Sequence, residues 1–297
     1  LSMASSLNFS YLDDLTKKMD IESADRKPLR HLIENNQALY FLEKNHYEFI
    51  AFSSGYPITE FPFADIYLSS DSGFWNEFHN EFINTTPIAT IMDHLQIDVF
   101  QNELHRQRIL YTFQHLVNFL EGDSPRFVFA HILIPHPPFL FDRQGNSINP
   151  RGTFTLHDGS HFIKKRMKNG YSSNHQQAYI QGYREQFLFT TEKIKRAIDE
   201  ILEDSSVPPI IILQSDHGPG ARLDWEHPDK TDFRERLAIF NAYYFPDNNY
   251  TQLYDGISPV NSFRVVFNTY FHTRLNLLPD RSFFSTFNQP YRFIQYR

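Results

Sequence analysis

The chain has 297 residues, of which 41% are hydrophobic and 21% are charged, and its formal net charge is -7 at pH 7. This length and composition are typical of one large α/β domain with a substantial core. The lack of Lys/Arg-rich runs argues against nucleic acid as a partner. The lack of cysteine excludes disulfides, thiolate nucleophiles, cysteine-based zinc sites and a formylglycine made from cysteine within these residues.

The sequence shows no segment that would cross a membrane. No apolar run is long enough to span a bilayer, and no signal peptide is visible. Because the first residue is Leu1 rather than Met, we interpret the chain as a fragment or mature portion whose amino-terminal part is missing. Since neither an internal repeat nor a linker divides the chain, we expect a single domain over residues 1–297.

The first half of the chain alternates predicted helices with predicted strands. Apolar residues at helical spacing predict helices over residues 1–20, 28–45, 74–83 and 104–120. Short apolar runs predict strands over residues 47–52 and 127–134. Ser2, Ser5 and Ser6 are interpreted as small packing residues of the first helix rather than as nucleophiles.

A proline-rich loop follows the strand predicted over residues 127–134. Three prolines restrict its backbone to extended or turn conformations, so His136 is expected to be fixed just beyond the strand. His136 is therefore a candidate functional residue, and the alternative is a loop histidine bonded to a neighbouring carbonyl. His131, within the strand, is better explained as a hydrogen-bonded core residue or as a residue that supports the site.

Two further segments lead to the second half of the chain. Residues 147–171 are expected to form an exposed loop. Its basic residues either attract an anionic substrate or lipid headgroup or are simply solvated; they are Lys164, Lys165, Arg166 and Lys168. A long helix is predicted over residues 174–203, and its apolar stripe is expected to pack on one face of the sheet. The stripe consists of Tyr179, Tyr183, Phe187, Ile194 and Ile198.

The most informative stretch is a β-branched run that ends in two ionisable residues. Residues 209–215 predict a strand buried on both faces, of the kind found in parallel sheets. Asp216 and His217 follow directly and supply one hard oxygen and one borderline nitrogen, a combination that suits a divalent metal ion. The alternative is structural: Asp216 caps the turn, His217 is incidental, and Gly218 and Gly220 allow positive φ.

The segment after this strand contains further candidates for contact with an anion. Arg222 and His227 lie in a polar stretch on the predicted active edge, where they either contact an oxyanion or remain surface residues. A strand is predicted over residues 237–246, a helix over 258–275 and an edge strand within 282–297. The order of strands and helices predicts an α/β fold with a mostly parallel central sheet and helices on both faces.

The motif Asp216-His217-Gly218 at one strand end and the His136 loop at another resemble the alkaline-phosphatase/sulfatase superfamily. The closer likeness is to its membrane-anchored sulfatase-like branch, which includes lipoteichoic-acid-synthase-like and phosphoethanolamine-transferase-like proteins. That branch also carries a later segment similar to residues 235–244. The resemblance covers roughly residues 1–275 and implies an alkaline-phosphatase-like fold that is truncated at the N-terminus.

The resemblance implies roles for individual residues. Asp216 and His217 would bind the catalytic metal, one divalent ion such as Mg, Mn, Ca or Zn, and His136 would contact the phosphate or sulfate. In the family, a metal-binding strand and a Thr, Ser or formylglycine nucleophile precede the helix that residues 1–10 resemble. Both are therefore expected upstream of Leu1, and no nucleophile is expected in this chain.

The implied function is metal-dependent hydrolysis or transfer of a phosphate or sulfate ester outside the cytoplasm. A lipid- or glycan-linked ester is one candidate substrate. The domain would be held at the membrane through a missing N-terminal anchor. A hydroxyl would attack phosphorus or sulfur while the metal and His136 stabilise the equatorial oxygens. Arg222 and His227 are further candidates for substrate binding. The alternative is a catalytically inactive protein of the same fold that binds an anionic glycan or lipid headgroup.

Overall fold

A computed structural model describes residues 1–70, 97–118, 124–150, 154–168 and 174–296. The fold is mixed α/β, as predicted, because helices occur together with a small parallel sheet and with antiparallel strand pairs. The chain divides into two compact units. Unit 1 comprises Leu1–His46, Val207–Gly218 and Leu223–Arg297, and unit 2 comprises Tyr47–Ser206 and Pro219–Arg222. The single domain expected over residues 1–297 stays a prediction.

The described residues form the following elements. The helices are α1 (Ser2–Leu7), α2 (Asp13–Thr16), α3 (Lys27–Glu34), α4 (Gln37–Lys44), α5 (Ile97–His115), α6 (Gly159–Lys168), α7 (His175–Asp204), α8 (Phe233–Leu237) and α9 (Ser262–Tyr270). The strands are β1 (Glu48–Phe52), β2 (Ile66–Leu68), β3 (Arg126–Phe129), β4 (Ile211–Gln214), β5 (Asn241–Tyr244), β6 (Phe283–Phe284) and β7 (Ile294–Gln295). Short 3-10 helices span Pro57–Thr59, Pro228–Lys230 and Pro259–Asn261.

Unit 2 contains a parallel sheet of three strands in the order β2-β1-β3. Ile50 of the central strand pairs with Ile66 on one side and with Val128 on the other. Four of the five residues of β1 are buried, because a strand with neighbours on both sides and cover on both faces has no solvent-facing side. The strands predicted over 47–52 and 127–134 are thus confirmed, although the second ends at Phe129.

Two apolar clusters of unit 2 lie along α7. The first joins α5, α7 and the loop after β3; its buried members are Ile109, Phe113, Ile134, Leu140, Phe141 and Phe189. The second joins α6 and α7; its buried members are Phe139, Phe162, Tyr179 and Ala221. The helix predicted over 174–203 is confirmed with bounds shifted by one residue, and Tyr179 is buried as expected. Phe187 is 44% exposed, so its place in the buried stripe was wrong.

The exposed loop predicted over residues 147–171 was wrong for residues 154–168. Residues 159–168 form α6, and Phe154, Asp158 and Phe162 around its start are buried. Phe162 packs edge-on against Phe139 and Tyr179. The segment has few apolar residues and no helical stripe, so tertiary burial of two phenylalanines, rather than periodicity, explains the helix. Lys164 is exposed. The helix predicted over 74–83 lies outside the described residues.

Unit 1 is organised around α1 and α9. Helix α1 packs against α3, α4 and α9, with Ala4 and Leu7 buried. On α9 the buried Phe267 ring contacts four other phenylalanine rings, those of Phe9, Phe41, Phe263 and Phe271. The helix predicted over 28–45 is two helices, because Asn36 accepts a hydrogen bond from the Leu39 amide at 2.8 Å and caps the start of α4. In the tail, β6 and β7 pair with each other.

Strand β4 has a different partner from the one expected. It pairs with β5, and the pairing is antiparallel, with Ile211 opposite Tyr244 and Gln214 opposite Asn241. A strand does form within residues 209–215, but its partner runs antiparallel, so the predicted parallel pairing was wrong. The reason lies in the connection: after β4 the chain turns back through α8, and the Ser215 amide donates to the Phe240 carbonyl at 2.8 Å. The same apolar run satisfies either pairing, so its pattern does not determine the direction of the partner.

Candidate functional site

Asp216 and His217 lie directly beyond β4 in unit 1, with their side chains close together. His217 Nε2 is 3.4 Å from Asp216 Oδ2, and about one third of each side chain is exposed. The other ring nitrogen of His217, Nδ1, is 2.9 Å from the Gly218 carbonyl oxygen. A proton on Nδ1 makes that contact a hydrogen bond and leaves the lone pair on Nε2, next to the carboxylate.

This geometry fits two ligands of one divalent ion. Metal–ligand bonds of about 2.0–2.2 Å place two ligands of a tetrahedral ion roughly 3.3–3.6 Å apart, and the observed separation of 3.4 Å lies in that range. A histidine ligand commonly donates its second ring N–H to a carbonyl, as His217 does. Within the described residues no group of three or more His, Asp or Glu side chains could hold a metal. When no ion is bound and His217 is protonated, the same two groups form an ion pair.

Gly218 fits this turn because there is no room for a side chain. A Cβ atom at Gly218 would lie 2.0 Å from the Glu235 carbonyl oxygen and 2.7 Å from that of Ala238. The Gly218 amide donates to the Arg236 carbonyl at 2.8 Å, and the buried Arg236 guanidinium donates back to the Gly218 carbonyl at 3.0 Å. Glycine is therefore required at position 218 because a side chain would not fit, and not because the residue adopts a positive φ. The alternative explanation from the sequence was wrong on this point. The backbone next to Asp216 and His217 is fixed by these contacts.

Helix α1 packs against the strand that leads to the candidate metal ligands. Gln214, the last residue of β4, donates from Nε2 to Ser6 Oγ at 3.1 Å, so α1 packs along the end of the strand. Ser5 and Ser6 bond to backbone carbonyls, in agreement with their predicted role as packing residues.

His136 lies in unit 2, in the loop that follows β3. Its Nδ1 is 2.6 Å from the Pro137 carbonyl oxygen, the contact expected for a loop histidine bonded to a neighbour. The buried Gln186 side chain of α7 bonds to both sides of this loop. Its Nε2 donates to the His136 carbonyl at 3.2 Å, and its Oε1 accepts from the Leu140 amide at 2.5 Å. Gln186 thus fixes the His136 loop, a role with no signal in the sequence pattern.

The other predicted site residues occupy different surroundings. Arg222 is an exposed residue of unit 2. His227 belongs to unit 1, and its Nδ1 lies 3.3 Å from both carboxylate oxygens of Asp224. His131 in unit 2 contacts the Thr59 hydroxyl at 2.7 Å, which confirms the prediction of a hydrogen-bonded histidine. Of the predicted site residues, Asp216 and His217 are brought together within one unit.

Comparison with known proteins returned no matching family model, and neither a curated protein nor a solved structure matched the chain. Among the helices of the described part of the chain, none has the length and apolar character needed to cross a membrane.

A buried polar network lies at the carboxyl end of β1 in unit 2. The Glu60 carboxylate accepts from the Gly55 amide at 2.5 Å and from the Ser53 hydroxyl at 3.2 Å, and it also accepts from the Tyr67 hydroxyl. Burial, and secondarily this bond, raises the pKa of Tyr67. The Arg108 guanidinium interacts electrostatically with Glu60. The sequence analysis did not find this network, whose members come from four separate segments.

His105 on α5 is a second residue that the sequence analysis missed. It is 2% exposed, and burial lowers its pKa to about 3, with further lowering by the charges of Arg108 and His136. A hydrogen bond to the Leu133 backbone acts in the opposite direction. His105 is therefore a neutral histidine within electrostatic reach of His136.

Proposed function

We propose that this chain is the major part of a metal-dependent enzyme that hydrolyses or transfers phosphate or sulfate esters. Asp216 and His217 are assigned as two ligands of one divalent ion. The observation that carries the proposal is that α1 packs against the strand that leads to these two side chains, through the hydrogen bond from Gln214 to Ser6. The family that the sequence resembles supplies its nucleophile at the start of the corresponding helix.

The groups of this chain have distinct tasks in the proposed reaction. Asp216 contributes a carboxylate oxygen, and His217 contributes Nε2 because its Nδ1 faces the Gly218 carbonyl. A divalent ion held there would supply positive charge for the anionic oxygens of the ester. His136, Arg222 and His227 are proposed to bind the phosphate or sulfate group. The nucleophilic hydroxyl is proposed to come from residues upstream of Leu1.

The wider setting follows from the same resemblance. We propose an alkaline-phosphatase-like fold that is incomplete at its N-terminus, and a location outside the cytoplasm with attachment to the membrane through an upstream anchor. The mixed α/β architecture with a parallel sheet in unit 2 supports this fold. The substrate is an anionic ester, and the ion is Mg, Mn, Ca or Zn.

The test compares this chain with a version extended upstream by its natural sequence. Each is assayed on an aryl phosphate and an aryl sulfate with Mg²⁺, Mn²⁺, Ca²⁺ or Zn²⁺. We expect turnover from the extended chain alone, and a loss of about 100-fold or more in Asp216→Asn and His217→Gln, because charge stabilisation by a metal contributes several kcal/mol. Asp14→Asn, at an exposed carboxylate of α2, is the matched control and should keep full activity.

Two results would contradict the proposal. One is an extended chain that shows no turnover with any of the four ions. The other is turnover that Asp216→Asn leaves unchanged. If the extended chain is inactive yet binds an anionic glycan or lipid headgroup, the protein is instead a binding module of the same fold.

A further inference from the structure

The Gly218 carbonyl oxygen in unit 1 lies within hydrogen-bonding distance of two side chains. His217 Nδ1 is 2.9 Å from this oxygen, and Arg236 Nη1 donates to it at 3.0 Å. A carbonyl oxygen has two lone pairs, so it can accept a hydrogen bond from each side chain at the same time. The Arg236 side chain is therefore connected, through one oxygen atom, to the ring of a proposed metal ligand.

The His217 ring has an acceptor beside each of its nitrogens, and the two acceptors favour different tautomers. With the proton on Nδ1, the ring donates to the Gly218 carbonyl. With the proton on Nε2, it donates toward Asp216 Oδ2 at 3.4 Å, and the lone pair of Nδ1 then faces the Gly218 carbonyl oxygen. The first tautomer is the one that leaves a lone pair on Nε2 for a divalent ion.

The hydrogen bond from Arg236 keeps the Gly218 carbonyl pointing toward the His217 ring. Glycine allows a wide range of backbone conformations, so Gly218 does not fix the direction of its own carbonyl. A hydrogen bond from a charged guanidinium is stronger than one between neutral groups, and this one holds the oxygen where Nδ1 reaches it. In the second tautomer, the lone pairs of Nδ1 and of the held oxygen would repel each other at 2.9 Å. Arg236 therefore opposes the tautomer that Asp216 favours.

Contacts within unit 1 hold the Arg236 side chain in place. Arg236 is 6% exposed, and its guanidinium carbon lies 5.5 Å from the centroid of the Trp225 ring, within the range of a cation–π interaction. The Arg236 backbone carbonyl accepts from the Gly218 amide at 2.8 Å. The backbone and the side chain of Arg236 thus bond to the amide and to the carbonyl of the same glycine, which fixes both ends of that residue.

We propose that Arg236 is a positioning residue that selects the His217 tautomer with the proton on Nδ1 and so keeps the Nε2 lone pair for a divalent ion. The Gly218 carbonyl shared by the two side chains carries the inference. The inference rests on the proposed function, because it assigns Arg236 a task toward a proposed metal ligand. Its test uses the metal-free chain and a spectroscopic signal, so its failure is distinguishable from a failure of the proposed reaction.

The experiment determines the His217 tautomer by ¹⁵N NMR of the metal-free 297-residue chain at about pH 9, well above the usual imidazole pKa of about 6.5. Protonated and unprotonated ring nitrogens differ widely in ¹⁵N chemical shift, and a spectrum of His217→Gln identifies the signals of this ring among the 14 histidines. We expect the proton on Nδ1 in the wild type. In Arg236→Met, which keeps a long side chain without its donors, the tautomer ratio should shift toward Nε2–H by about tenfold.

Two further variants separate the hydrogen-bond donor from the fold, and unfolding curves establish that each variant is folded. Arg236→Lys keeps a cationic donor and should keep the proton on Nδ1. Arg234→Met, at an exposed arginine of the same helix α8, should leave the tautomer ratio unchanged. A wild type with its proton on Nε2 would overturn the proposal whatever the variants do. An unchanged ratio in folded Arg236→Met, or an equal shift in Arg234→Met, would also overturn it.

Discussion

At Gly218 two backbone segments approach so closely that a single added methyl group has no space. We predict that Gly218→Ala destabilises the protein by about 1–3 kcal/mol, because the new Cβ must displace the Glu235 and Ala238 carbonyls. Denaturant unfolding measures this change. Gly256→Ala, at a glycine with positive φ of 75°, is a useful comparison, since its cost is conformational. An unchanged midpoint for Gly218→Ala would show that the turn is not packed as described.

Burial of His105 predicts a dependence of stability on pH. The pKa of this histidine is about 3 in the folded protein and about 6.5 when unfolded. The folded state therefore resists protonation. The neutral His105 ring contributes its full stabilisation of the folded state above about pH 6.5, and this contribution is lost as the pH falls toward about 3. The charges that act on the ring are those of Arg108, His136 and Arg106.

His105→Phe should remove this part of the pH dependence. We expect the free energy of unfolding of the wild type to fall between about pH 6.5 and pH 4 more steeply than that of the variant. Urea titrations at several pH values measure both slopes. His31→Gln, at an exposed histidine of α3, serves as the control. Parallel curves for His105→Phe and the wild type would contradict the assignment of a neutral buried imidazole.

At the scale of elements, α7 connects to the glycine-rich turn of unit 2 through one hydroxyl group. Tyr179 donates to Asp158 Oδ1 at 2.6 Å and accepts from the Gly220 amide at 2.8 Å. A Cβ atom at Gly220 would lie 2.4 Å from that same carboxylate oxygen. This contact explains why glycine occupies position 220 and why α7 has a polar atom in its buried stripe.

Tyr179→Phe tests this connection. We predict a loss of about 1–3 kcal/mol in unfolding free energy, because the Gly220 amide is left without the phenol oxygen and Asp158 loses a donor. Tyr40→Phe, at a ring that is 56% exposed, should change the same quantity by less than about 0.5 kcal/mol. Equal effects for the two variants would show that the bond contributes nothing to stability.

The elements also show where sequence reasoning succeeds and where it fails. Strand β1 and helix α7 were predicted because their apolar periodicities are long or continuous. The antiparallel partner of β4 was not predicted, because an apolar run such as residues 209–215 is compatible with either a parallel or an antiparallel partner. Helix α6 was missed because burial of Phe154 and Phe162 depends on contacts with distant residues. The candidate site shows the same limit: Asp216 and His217 are visible as neighbours, whereas Gln186 and His105 act through contacts that no local pattern contains.

At the scale of the whole molecule, each unit has its own core, and Phe267 lies at the centre of the core of unit 1. We predict that Phe267→Ala lowers the free energy of unfolding by about 3–5 kcal/mol. Hydrogen exchange followed by mass spectrometry should then show faster exchange in α1, α3 and α4, with the β1 amides of unit 2 as the internal reference. Faster exchange confined to β1 would contradict the assignment of Phe267 to unit 1.

The discontinuity of unit 1 has a consequence during synthesis on the ribosome. Residues 1–46 emerge before β4 and α9, which complete their core and lie beyond the roughly 160 residues of the intervening segment Tyr47–Ser206. At about 5–20 residues per second, that segment takes roughly 8–32 s to translate. Throughout this interval the apolar side chains of Ala4, Leu7, Leu29 and Ile33 have no β4 or α9 to pack against. Residues 1–46 therefore wait longer for the partners of their core than the segment Tyr47–Ser206 does, because that segment contains nearly all of its own unit.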